Sequence, residues 1–197
     1  MVTIREAVSA DAPAIARVHV DVWRTTYRGI VPDDYPCTLP YKDRESMWTR
    51  VLTATDSQVV FVAEDEHGGI IGFANGGPER SQDTVYAGEI YAIYILDAYH
   101  GQGVGRRLMG AVAAWLADKG LIALLVWVAT DNPARRFYET LGGTRIHAKW
   151  ETIGGTKIEE IAYGWTNTCA FRVRLKDTSR GRRRGVWHTP GLCREPV

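Results

Sequence analysis

The stretch DAYHGQGVGRRLMGAVAAWL, from Asp97 to Leu116, constrains the fold more than any other part of the chain. Glycines at 101, 103 and 105 are followed by two arginines and then by apolar residues at helical spacing. Alternating glycines let a backbone approach a ligand closely and point successive N–H groups the same way. A helix starting near Val104 adds the positive end of its dipole. With Arg106 and Arg107 within reach, such a loop suits a pyrophosphate and needs no metal. Two other phosphate patterns do not fit. GxGxxG fails because Arg106 stands where the third glycine belongs, and GxxxxGK fails because Ala111 and Val112 follow Gly110. A tight strand-to-helix turn with solvated arginines is the alternative.

The flanking segments extend this unit. GEIYAIYIL reads as the strand before the loop, and LIALLVWVA, after the helix, as a central strand covered on both faces. Asn132 is expected to cap a helix over NPARRFYETL, with Pro133 in its first position and Gly142 and Gly143 closing it. TRIHAKWETI and TKIEEIAYGW pair across a Gly-Gly turn. Upstream, VTIREA alternates as a first strand, and Ser9 or Asp11 caps a helix carrying Ile15, Val18, His19, Val22 and Trp23 on one stripe. YKDRESMWTRVL reads as a second helix, and SQVVFVAEDEHGGIIGFANGG as a hairpin. The order β-α-α-β-β-β-α-β-α-β-β predicts an α/β chain with a mixed sheet and helices on its faces.

Composition narrows the class. The 197 residues are 45% hydrophobic and 24% charged, as in a soluble globular chain. Cys37, Cys169 and Cys193 are scattered, without disulfide or zinc spacing, and the five histidines show no ligand pattern. His19, on its apolar stripe, reads as a satisfied core histidine. The N-terminal segment carries charge where a signal peptide needs an apolar run, and LIALLVWVA is too short to span a bilayer. The expectation is a cytoplasmic protein with no membrane partner. Residues 166–197 hold eight Arg or Lys and two acidic residues, a balance of +6, against −5 for the remainder. One domain is expected over 1–165, followed by a loosely packed basic extension over 166–197. Nucleic-acid binding through RGRRRG is the weaker alternative.

HGQGVG, with His100 at its head, resembles motif A of the GNAT superfamily, the acetyl-CoA-dependent N-acetyltransferases. The resemblance runs from residue 2 to about 165 and takes in NPARRFYETLGG and KIEEIAYGW. It implies a three-layer α/β/α fold in which GEIYAIYIL and LIALLVWVA are parallel neighbours that splay apart to admit pantetheine. Ile93, Tyr94 and Ile95 are thereby assigned to pantetheine contacts. Gly101, Gln102, Gly103, Val104, Gly105 and Arg106 fall to the pyrophosphate, and Asn132 to the CoA arm. Acetyl-CoA is the implied co-substrate, no metal is needed, and a homodimer is compatible with the family.

By the same resemblance Tyr138 stands where the family's general acid protonates the departing thiolate. A core aromatic beside Phe137 is the other reading. A primary amine of pKa about 10.4 must lose a proton before it attacks. Glu89, six residues before Ile95, resembles in spacing the glutamate base of the family's histone-acetylating branch and is the candidate base, with a solvated strand-end carboxylate as the other reading; strict alternation would put Glu89, Tyr91, Ile93 and Ile95 on one face. In WRTTYRGIVPDDY, the aromatics Trp23 and Tyr27 and the carboxylates Asp33 and Asp34 would suit a cationic amine, or else form core and a helix cap. This stretch resembles the polyamine and phosphinothricin acetyltransferases. The expected activity is direct acetyl transfer in a ternary complex to a primary amine, of a small molecule rather than of a protein N-terminus or lysine. A non-catalytic acyl-CoA sensor is the rival.

Overall fold

The computed structural model describes residues 1–32, 39–54 and 57–168. Asp33, Asp34 and the basic stretch beyond Thr168 therefore lie outside the described residues. The strands are β1 (Thr3–Glu6), β2 (Val59–Glu64), β3 (Ile70–Pro78), β4 (Gly88–Ile95), β5 (Leu124–Ala129), β6 (Thr144–Ile153) and β7 (Thr156–Trp165). The α-helices are α1 (Ala12–Thr26), α2 (Tyr41–Thr53), α3 (Val104–Asp118) and α4 (Arg135–Thr140). Their order matches the expected one. The strands form one sheet in the order β1-β2-β3-β4-β5-β7-β6, antiparallel throughout except for the β4–β5 pair.

Helices cover both faces, giving three layers. On one side Ile15, Val18 and Val22 of α1 and Trp48 of α2 pack on Val60, Val62 and Phe73. On the other, Leu108, Met109, Val112 and Leu116 of α3 meet Ala63, Ile71, Ala74, Ile90 and Val126. Leu108 and Leu116 are fully buried, and each such side chain contributes about 2 kcal/mol of hydrophobic stabilisation. Among the described residues no helix is long and apolar enough to cross a membrane.

Two helix starts differ from expectation. The Asp11 carboxylate turns back to accept the Val8 N–H at 2.8 Å and pairs with the Arg5 guanidinium at 2.7 Å, rather than capping α1. Asn132 does bond forward, its Oδ1 accepting the Ala134 N–H at 2.8 Å. The next bonds, however, run from Arg135 and Arg136 to carbonyls three residues back, so α4 proper begins only at Arg135.

The main departure is a bulge in β4. Asn75 of β3 faces Ala92 while the next residue, Gly76, faces Ile90, which leaves Tyr91 as an extra residue. The alternation of side chains therefore slips by one. Ile90, Ile93 and Ile95 all pack toward α3, whereas Ala92 and Tyr94 face α1 and α2. The expected single face of Glu89, Tyr91, Ile93 and Ile95 does not exist. Gly76 makes this close approach possible, since a Cβ there would lie 2.5 Å from Val112 Cγ1 and 2.8 Å from the Glu89 carbonyl oxygen. Gly76→Ala is expected to cost about 1–3 kcal/mol, read as a thermal midpoint lowered by roughly 2–4 °C for each kcal/mol.

Candidate active site

β4 and β5 pair only over Gly88–Ile90 and Leu124–Val126. Beyond that point β4 stays with β3 and β5 with β7, so two strand edges diverge with free backbone groups facing the gap. An extended ligand can occupy such a gap by bonding both edges as an added strand. Ile93 and Ile95 border it, and the Ile95 carbonyl also lies 2.9 Å from His100 Nε2, tying the strand end to the loop.

At the gap's open end the glycine loop enters α3. Gly101 and Gly103 hold φ of +74° and +75°, in the left-handed region that favours glycine. The backbone N–H groups from Gly101 through Arg106 have no acceptor among the described residues. Together with the N-terminus of a 15-residue helix they form an anion cradle. The Val104 side chain is buried in the core, so only its backbone is offered. Gly105 leaves room for Phe137, whose ring would stand 3.0 Å from a Cβ. The side chains divide in role. Gln102 Nε2 donates to the Ala98 carbonyl at 3.0 Å and Arg107 to the Val2 carbonyl at 2.9 Å. Arg106 is exposed and makes no ion pair among the described residues. These groups fit a pyrophosphate.

Tyr138 of α4 is 4% exposed, its ring held among Phe137, Tyr163 and Trp165. Its hydroxyl has no hydrogen-bond partner among the described residues, yet is not among the atoms sealed from solvent without one. Burial, with Tyr94 nearby, raises its pKa above the ordinary phenol value. Asn132 is buried; its Oδ1 is used within the turn, leaving the amide nitrogen available.

The opposite side of β4 differs from expectation. The Tyr94 side chain lies between Ile93 and Ile95 in regular alternation and so points to the face away from them, toward α1 and α2. Its hydroxyl accepts the Trp23 indole N–H at 2.9 Å, and its ring stacks on His19 at 5.1 Å. Only its backbone can serve the gap. Trp23 and Tyr27 stack at 4.2 Å, and burial pushes the Tyr27 phenol pKa up. Glu89 is 3% exposed, and the Arg80 guanidinium engages both of its oxygens, at 2.5 Å and 3.0 Å. One guanidinium thus occupies both oxygens, and neither is left open to an amine.

A second carboxylate on this side escaped the sequence reading. Glu160 of β7 lies opposite Ala129 at the end of β5, with 19% of its side chain exposed and Lys149 Nζ at 3.5 Å. Burial raises its pKa, Lys149 pulls it down, and the charges of Glu151 and Glu89 raise it further. The available signal was its place between Ile158 and Ala162 on one face of a strand whose other face carries Ile161, Tyr163 and Trp165.

Trp23, Tyr91 and Tyr94 also line a cavity of about 650 Å³ between α1, α2 and the sheet, with His19, Arg44, Trp48, Asn75 and Arg80. His19 is 8% exposed, and its Nδ1 accepts the Trp48 indole N–H at 3.1 Å. Burial, aided by the charge of Arg44, lowers its pKa to about 3, so the ring is neutral with its proton on Nε2. Among the described residues no group of three His, Cys, Asp or Glu side chains stands together as a metal site.

A splayed parallel pair and an N–H cradle at a helix start, within a mixed sheet covered on both faces, define an acyl-CoA-dependent transferase fold. Comparison with known proteins agrees. The acetyltransferase (GNAT) family model matches residues 22–143. An uncharacterized N-acetyltransferase of Bacillus subtilis (strain 168) is 41% identical over 176 residues, spanning 89% of this chain and 99% of its own. An N-acetyltransferase structure from Staphylococcus aureus Mu50 superposes with a TM-score of 0.68 at 20% identity, over 85% of this chain and 99% of that one. The PaiA N-acetyltransferase of Thermoplasma acidophilum, solved in complex with coenzyme A, gives 0.61 at 17% identity, over 82% and 98%. The chain belongs to the GNAT family and is an acetyl-CoA-dependent N-acetyltransferase.

Proposed function

We propose that the acceptor is the primary amine of a small molecule and that acetyl passes to it directly in a ternary complex. The cavity of about 650 Å³ carries this reading, because its wall is the same strand, β4, that borders the cofactor gap. That volume falls within the range of small-molecule sites. Holding both substrates against one strand supplies the proximity on which catalysis mainly rests.

Acetyl-CoA supplies a thioester whose C–S bond breaks as the amine nitrogen forms the C–N bond. The N–H groups of residues 101–106, with Arg106, take the pyrophosphate. The Asn132 amide and the backbone edges at Ile93 and Ile95 take the arm. Tyr138 donates its hydroxyl proton, or a hydrogen bond, to the departing sulfur. At neutral pH an alkylamine of pKa about 10.4 is some 99.9% protonated, so its proton must leave first. Glu160, outside the cavity lining but near Tyr27, which stacks on Trp23 of the wall, accepts it through water, and Glu89 serves as a positioning residue that fixes Arg80 at the cavity rim.

The test is CoA-thiol release with acetyl-CoA against spermidine, lysine, aminoglycosides, phosphinothricin and short peptides. Release with one small amine at a kcat/KM at least about tenfold above any peptide is the expected result. A preference for peptide N-termini or lysine side chains would overturn the small-molecule reading.

A further inference from the structure

Two guanidinium groups line the acceptor cavity, and they differ. Arg80 is taken by Glu89, whereas Arg44 makes no ion pair among the described residues and its guanidinium hydrogen-bonds there only to Met47 Sδ, at 3.7 Å. The acidic residue of the lining, Glu79, is spent locally: its oxygens accept from the backbone of Ser81 and Asp83 and from the Ser81 hydroxyl. His19 adds a second unused donor. It is more than nine-tenths buried, Trp48 fixes its tautomer by occupying Nδ1, and its Nε2–H has no acceptor among the described residues. Nε2 is not among the atoms sealed from solvent, and the residue lines the cavity.

A donor held this far from bulk water without a partner is costly unless a ligand or water satisfies it. Beside it stands a cation without a counter-ion. Resting on the proposed amine acceptor, we propose that this acceptor also carries a carboxylate, which the His19 Nε2–H and the Arg44 guanidinium bind together while the amine lies toward β4. The acceptor class is thus a small amino acid. One neutral N–H and one guanidinium match a planar monoanion; a phosphate dianion would leave charge unmatched.

The test compares each common α-amino acid, and the ω-amino acids from 4-aminobutyrate to 6-aminohexanoate, with its own carboxamide. CoA-thiol release is read for wild type, Arg44→Met and Arg50→Met, the last lying outside the cavity lining on the exposed side of α2. Calorimetric binding of the N-acetylated acids in the presence of CoA is measured alongside. Wild type and Arg50→Met should favour at least one acid over its amide by about 10- to 100-fold in kcat/KM, the range of a lost hydrogen bond to a charged group. In Arg44→Met that ratio should fall to near one. Equal use of acids and amides by wild type, or a preference that survives in Arg44→Met, overturns the carboxylate proposal and leaves amine acetylation standing. No transfer to any amine, with Arg44-dependent binding of an acetylated acid, upholds the carboxylate site and overturns the amine reading. No transfer and no such binding overturns the carboxylate proposal.

Discussion

Tyr138→Phe is expected to lower kcat for acetyl transfer by about 100-fold, within the range of a lost general acid. KM for acetyl-CoA should change little. The ring stays packed among Phe137, Tyr163 and Trp165, and the missing hydroxyl has no partner among the described residues, so stability should hold. Burial keeps this phenol protonated throughout the working pH range, and it therefore remains a donor whenever sulfur begins to carry charge. Stopped-flow detection of CoA thiol, with thermal unfolding as the control, checks both parts. A variant that turns over normally would leave Tyr138 as core only.

Glu160→Gln should lower kcat by roughly 100-fold near neutral pH. In wild type, kcat/KM should fall as pH drops through the Glu160 pKa, because only the carboxylate accepts a proton. Burial places that limb above the ordinary glutamate value of about 4.3, and it should vanish in Glu160→Gln. The stability effect has the opposite sign. A carboxyl whose pKa is raised by folding favours the folded state at low pH, and this contribution is lost as pH rises through the folded value. At pH 7 the native carboxylate is therefore a cost, and Glu160→Gln should raise the thermal midpoint while losing activity. Lys149 keeps a partner in the variant, since Glu151 lies 3.1 Å away. An unchanged pH profile would return the base role to Glu89 or to water.

Much of this arrangement could be read from residue order. The glycines at 101 and 103 announced the cradle, because few other residues permit that backbone, Gly105 serving instead to admit Phe137, and the apolar run in β5 announced a strand covered on both faces. Tyr138 rested on family likeness alone, and its burial among Phe137, Tyr163 and Trp165 also fits the core reading. What escaped depends on neighbours distant in the chain. The Tyr91 bulge arises from register against β3, and nothing in GEIYAIYI marks an extra residue. Strict alternation therefore put Glu89, Tyr91 and Ile93 on one face, whereas the extra residue separates Glu89 and Ile90 from the run that follows. Glu89 had the right spacing for a base, but Arg80, nine residues away across a loop, claims both its oxygens. His19 is buried, as its apolar stripe implied, but not fully satisfied. Only its Nδ1 has a partner among the described residues, Trp48, 29 residues further on.

The β4–β5 pairing has a consequence for how the molecule holds together. The two halves of the sheet are joined by a hydrogen-bonded seam only three residue pairs long. On the proposed reading the edges beyond it are bridged only by acetyl-CoA, so the reactant would double as a strut that each turnover removes and replaces. The packing of α3 across both halves is the contact that would hold the sheet together between cycles.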